Sequence, residues 1–141
     1  MIVSLHVATG AAAGVLLESR LGAVLAGPAL HLFGDRMPHH DIPSRRFELW
    51  TGIGALALVA LRHGPLGAAT LGAVAASVPD AEHVLRLPRP GGRKLFPSHR
   101  LIGWHRAGGM PAGPQLVAAG LLLGFVLAHR QPSRRGERAP I

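Results

Sequence analysis

The chain is 141 residues long, 48% hydrophobic and 16% charged, with a formal net charge of +8 and no cysteine. Its charge content lies well below the roughly 25% of a soluble globular domain, and the missing cysteine excludes structural disulfides and thiolate metal sites. All but one of the 15 basic residues are arginine, in an Ala-, Gly- and Pro-rich background without a nucleic-acid-binding motif or aromatic–basic interleaving, so no nucleic-acid partner is expected.

The apolar blocks predict an all-α membrane helical bundle of four to five short Ala/Gly/Leu-rich helices. The first runs from about Ile2 to Leu17 and ends at "ESR"; Gly10 and Gly14, four apart, suit close helix packing. It lacks a basic region ahead of it, so it reads as a retained span and not as a cleaved signal. The second runs from Leu21 to about Asp35, with Pro28 as an expected kink, and stops before Pro38. Ser44 is the expected N-cap of the third, with Glu48 in its first turn and Arg62 and His63 in its last, and Gly64-Pro65 closes it. The fourth, "PLGAATLGAVAAS", reaches Pro79. A polar connector at about 86–113 follows, then the fifth, "PQLVAAGLLLGFVLAHR".

Residues 1–129 thus read as one membrane-embedded helical domain, and 130–141 as a basic tail expected to be disordered. The blocks are apolar on all faces, which argues for lipid or deep burial. Several are shorter than the roughly 20 residues of a typical span, so a compact soluble bundle is the alternative. With the first four helices crossing, the basic residues of 35–46 and 86–106 share one side and face only Arg20 and Arg62 on the other. The positive-inside rule then makes the first side cytoplasmic, in an inner membrane, and membrane lipid is the expected partner, with a small molecule or a lipid as the expected kind of substrate. The four arginines of 130–141 break this pattern.

The ionisable groups gather on that same side. The segment "HLFGDRMPHHD" (31–41) holds three histidines and two aspartates, and each of the three Asp in the chain lies within four residues of a His. His6, His31, Asp35, His39, Asp80, His83 and His99 are candidate metal ligands, with Asp80 and His83 expected at the centre. Imidazole and carboxylate suit a divalent metal, zinc first, with manganese or iron as alternatives. Glu82 is the candidate general base; Arg100 and Arg106 are candidate substrate-binding cations. Each piece also has a plainer explanation. His31 and Asp35 at i, i+4 could share a local hydrogen bond; Ser77 with Asp80 matches a capping box; the two arginines could be interfacial charges.

The segments "VPDAEH" (78–83) and "HRLIGWH" (99–105), with the His of "LHVATGAAAG", resemble the LexA-binding, inner-membrane-associated metal-dependent hydrolases of bacteria. These are small multi-span proteins with an N-terminal His, a Pro-Asp-x-Asp-His segment and a His-Arg-Gly-x-Thr-His segment. The resemblance covers about residues 1–106 and implies that His6, Asp80, His83, His99 and His105 match metal-site positions. Glu82 replaces the second Asp, the second motif carries one extra residue, and Trp104 stands at the Thr position. The expected function is an integral membrane metal-dependent hydrolase with its site at the cytoplasmic face, acting on a phosphoester. The alternative is a non-catalytic membrane protein whose His/Asp cluster binds metal structurally or binds a partner.

Overall fold

The computed structural model of the protein describes residues 1–85, 87–104, 106 and 108–129. His105 and the basic tail at 130–141 therefore lie outside the described residues. The chain is all-α. Five longer helices, α1 (Val3–Leu17), α2 (Arg20–Arg36), α3 (Arg45–His63), α4 (Ala68–Ser77) and α7 (Ala112–Ala128), are joined by short α5 (Ala81–Val84) and α6 (Pro97–Arg100), both in or beside the connector. Among the described residues there is no strand, only an isolated bridge between His39 and Met110.

Helix α1 is the axis, packed against α2, α3, α4 and α7. Its closest neighbour is α4. A Cβ added at Gly10 would lie 2.2 Å from the Gly72 carbonyl oxygen, and one at Gly14 2.2 Å from that of Ala68. The two backbones touch there, and only glycine leaves room. Because Gly10 faces Gly72 and Gly14 faces Ala68, the helices run antiparallel, and one turn further His6 of α1 comes level with Ala76. Helix α2 approaches α4 in the same way, a Cβ at Gly27 falling 2.5 Å from Ala75 Cβ. This three-helix contact carries the start of α1 and the ends of α2 and α4 to one point.

The caps follow the residue chemistry. Ser19 Oγ accepts from Gly22 N at 3.1 Å and starts α2 one residue earlier than the apolar pattern suggests. Ser44 caps α3, accepting from Phe47 N at 3.4 Å. Pro28 sits inside an α2 that runs on to Arg36. At the far end of α3, Arg62 Nε donates to Leu127 O and His63 Nε2 meets Val126 O, both at 2.8 Å. Those carbonyls belong to the last turn of α7, which lacks partners of its own. The first amides of the chain are held by Gln115 Oε1 on Ile2 N (3.2 Å) and Glu48 Oε1 on Val3 N (3.3 Å).

The capping box expected at Ser77 does not form. Ser77 Oγ donates back to Ala73 O at 2.8 Å, and a 3-10 turn over Val78–Asp80 carries the chain out of α4. Asp80 is thereby released from helix capping. No helix among the described residues is long and apolar enough to cross a membrane. The most apolar, α1 and α7, have 15 and 17 residues, and the 19-residue α3 carries Arg45, Arg46, Glu48 and Arg62.

Candidate metal centre

Three imidazoles and two carboxylates meet where α1, α2 and α4 end. His31 and Asp35 are one turn apart on α2, and His31 Nε2 lies 3.0 Å from Asp35 Oδ2. His6 Nε2 reaches Asp35 Oδ1 at 3.2 Å, and its ring stacks on that of His31 with centroids 4.0 Å apart. Asp80 approaches from the 3-10 turn, its oxygens 4.0 Å from His6 Nε2 and from His31 Nε2. His99, on α6, closes the set at 3.3 Å from Asp35 Oδ2 and 3.7 Å from Asp80 Oδ1. His6, His31 and Asp35 are buried.

The orientation of two of these rings is fixed from behind. His31 Nδ1 donates to Ala76 O at 2.8 Å, and His99 Nδ1 to Glu82 Oε1 at 2.5 Å. A neutral imidazole donating through Nδ1 presents a lone pair at Nε2. The His31 Nε2 lone pair therefore faces a carboxylate oxygen, acceptor against acceptor, in a buried pocket. His31 Nε2, Asp35 Oδ2 and Asp80 Oδ2 are buried with no hydrogen-bond partner. The Met1 amino group donates to Asp35 Oδ1 at 2.9 Å, but it reaches none of these three atoms, and buried acceptors are costly unless something positive satisfies them. Three overlapping groups have their ligand atoms within 4.8 Å of one another: His6, His31 and Asp80; His31, Asp35 and His99; Asp80, His83 and His99. Nitrogen and oxygen donors at this spacing could hold a metal ion.

Titration follows the contacts. Burial pushes the Asp80 carboxyl up to about 6, with the nearby Asp35 carboxylate adding to it against the pull of the imidazoles. Burial also lowers His83, to about 4, and His99 and Lys94 beside it act the same way. For His99 burial works in that direction too, but hydrogen bonds to Asp35 and Glu82 outweigh it and hold the ring above its ordinary value. Glu82 is held below the usual range because the Leu95 amide and His99 outweigh its burial.

The remaining sequence candidates are distributed unevenly. His83 joins one ligand group and packs edge-on to His99 at 4.3 Å, its Nδ1 3.4 Å from Lys94 Nζ. It completes the outer of the three groups, with Asp80 and His99. His39 belongs to none of the three groups; its Nδ1 lies 2.7 Å from Met37 O, and its Nε2 faces Asp41 Oδ1 at 3.3 Å and the Met1 amino group. Glu82 has both oxygens engaged, Oε1 by His99 and Oε2 by Leu95 N at 2.7 Å, so it orients His99 and is poorly placed to accept a proton from water. Arg100 faces a separate cavity with Arg93, Leu95 and Ile102, and exposed Arg106 offers its carbonyl to His39 N at 3.3 Å. Neither lines the cavity above the cluster. His105 lies outside the described residues.

That cavity, about 560 Å³, opens on Asp35, Asp80, His83 and His99, and is also lined by Arg45, Lys94 and Ser98. Sequence reasoning overlooked these last three. One signal was available for Arg45: a basic residue in the first turn of a helix opposes the dipole, and Arg45 follows the N-cap Ser44 directly. Trp104, at odds with the motif, pins the segment that carries His99. Its Nε1 donates to Leu32 O at 3.1 Å, Arg36 lies 5.3 Å over its ring, and Arg36 Nη1 donates to Gly103 O at 3.2 Å. Comparison with protein-family models, curated proteins and solved structures finds no match to the chain.

Proposed function

We propose that the protein is a metal-dependent hydrolase, membrane-embedded and acting at the cytoplasmic face of a bacterial inner membrane. The observation that carries the metal is the apposition of His31 Nε2 and Asp35 Oδ2, 3.0 Å apart and both buried without a hydrogen-bond partner. His31, Asp35 and His99, supplemented by His6, would hold the ion, zinc being the first choice for imidazole and carboxylate donors. When bound, such an ion supplies Lewis-acid polarisation of an ester or phosphoryl oxygen and acidifies a water molecule. Glu82 fixes the His99 ring, a second-layer carboxylate role common at metal sites. Asp80, with an oxygen free of hydrogen bonds and a place on the cavity wall, takes the proton-accepting role expected of Glu82.

Catalysis is favoured over a purely structural ion because the cluster is open on one side, to a cavity within the roughly 300–1,000 Å³ usual for small-molecule sites. The resemblance of "VPDAEH" and "HRLIGWH" to the LexA-binding inner-membrane hydrolases points the same way. Membrane embedding is supported by the large apolar side chains exposed around the bundle, among them Leu21, Leu25, Trp50, Leu61 and Leu121. Helices this short fit a bilayer by local thinning or as partly inserted elements.

The test is elemental analysis of protein purified from carbonate-washed membranes, followed by turnover of generic phosphoesters. The expected outcome is retention in the membrane pellet, near-stoichiometric zinc and hydrolysis that stops on chelation. Stoichiometric metal without turnover of any ester would leave the structural-ion alternative standing. Protein free of metal after growth with zinc would end the reading.

A further inference from the structure

Arg45 and Lys94 come from opposite ends of the fold, the first turn of α3 and the connector, yet both arrive at His83. Arg45 Nη2 donates to His83 O at 2.5 Å, and Lys94 Nζ lies 3.4 Å from His83 Nδ1. Neither makes an ion pair with a carboxylate among the described residues. Two cations that make no ion pair thus stand on the wall of the cavity that opens on Asp80 and His99. Close cations repel unless an anion lies between or beside them, and the amino end of α3 adds positive potential to the same wall.

A second observation points to a ligand in the same place. Ser98 is 1% exposed, its Oγ has no hydrogen-bond partner, and it lines this cavity. A buried hydroxyl is rarely left unused, and here it can donate to an oxyanion. Of the acids on the wall, Asp41 faces His39 Nε2 at 3.3 Å and Glu48 accepts from Val3 N, while Asp35 and Asp80 belong to the candidate metal centre. The rest of the lining includes apolar Ile42, Leu49, Val84 and Leu101. A free phosphate would leave that apolar wall wet, whereas a phosphoester with a hydrocarbon tail would cover it.

We propose that the cavity takes an amphiphilic phosphoester, its anionic oxygens held by Arg45, Lys94 and Ser98 and its tail lying along Leu49 and Ile42. The proposal rests on the metal-hydrolase reading, because an ion between Asp35 and Asp80 is what cancels the negative charge beneath the phosphate. It moves substrate recognition from Arg100 and Arg106 to residues that share a cavity with the candidate centre.

The test uses the zinc-loaded full chain and calorimetric titration with hexyl phosphate and with inorganic phosphate, with metal content measured on every sample. The expected result is tighter binding of hexyl phosphate by about tenfold or more. Lys94→Gln and Arg45→Gln should each weaken both ligands by about tenfold with zinc retained, as loss of a charged hydrogen bond does. Leu49→Ser should weaken hexyl phosphate alone, and Arg100→Gln should change neither. Because Arg45 also binds a backbone carbonyl, Lys94→Gln is the deciding variant. Unchanged phosphate binding in Lys94→Gln with zinc in place overturns the anion site while leaving the metal reading intact. Equal affinity for the two ligands overturns the apolar tail. A wild-type protein that takes up no zinc overturns the parent reading and this proposal with it.

Discussion

His31 Nε2 and Asp35 Oδ2 stand 3.0 Å apart on one face of α2 without a hydrogen bond between them, because His31 Nδ1 is committed to Ala76 O. A helix-end histidine–aspartate pair on its own would turn one N–H toward the carboxylate. Here the donor is spent on α4, and the acceptor atoms are left facing one another. His99 Nδ1 is likewise held from behind, by Glu82, but its Nε2 keeps a hydrogen bond to Asp35. Asp35 Oδ1 is satisfied by His6 and the Met1 amino group, while Oδ2 and His31 Nε2 are left as ligand atoms that could hold a metal ion.

Metal binding should therefore contribute to folding stability. An ion that binds only the folded chain adds about 4 kcal/mol at a thousandfold excess over its dissociation constant. In a domain of this size that raises the melting temperature by on the order of 10 °C. Differential scanning of chelated protein with and without added zinc reads the shift directly, and superimposable curves would count against the centre.

Glu82 separates two roles that sequence alone could not. If it orients His99, Glu82→Gln should lower zinc affinity by about 10- to 100-fold, the usual cost of losing a second-layer carboxylate. If it were the general base, the same change would abolish turnover and leave zinc affinity untouched. Competition titration with a chromophoric chelator distinguishes them, and the two hydrogen bonds already on its carboxylate favour the first outcome.

Much of the scaffold was legible in the chain: the five longer helices, the Ser44 cap, and the Gly10/Gly14 face all follow from apolar blocks, capping chemistry and small-residue spacing. His6, His31, Asp35, Asp80 and His99 could be gathered because they fall at helix ends on one side. Their hierarchy could not. It depends on the register of α1 against α4, which is set by Gly72 and Ala68 and brings His6 level with Ala76. Lys94 and Ser98 were hidden in a Pro/Gly-rich connector whose path is set by tertiary contacts, among them the Leu95 amide donating to Glu82 Oε2. The plainer capping-box explanation of Ser77 and Asp80 fails because the serine hydroxyl bonds back into α4, a local partner open to any helical serine.

The α1–α4 contact makes a paired stability prediction. At Gly14 an added Cβ would meet the Ala68 carbonyl at 2.2 Å, whereas at Gly54 it would meet nothing within 4 Å. Gly14→Ala should cost about 1–3 kcal/mol by forcing the backbones apart. Gly54→Ala, in the middle of α3, should be stabilising by up to about 1 kcal/mol. Thermal melts of the two variants in the same detergent should move in opposite directions.

The order of metal loss among histidine variants is the sharpest check on the site. His31 and His99 each enter two of the three ligand groups, His83 enters one, and His63 lies at the other end of α3 against Val126 O. His31→Ala and His99→Ala should each abolish stoichiometric zinc, since each removes a nitrogen whose direction is fixed by a hydrogen bond behind it. His83→Ala should keep at least one ion, because Asp35, His31 and His99 remain. His63→Ala should keep all of it and lose about 1 kcal/mol of stability through the uncapped end of α7. Elemental analysis of the four proteins, purified side by side, gives the ranking. Zinc retained in His31→Ala and lost in His83→Ala would move the centre to the outer group of Asp80, His83 and His99.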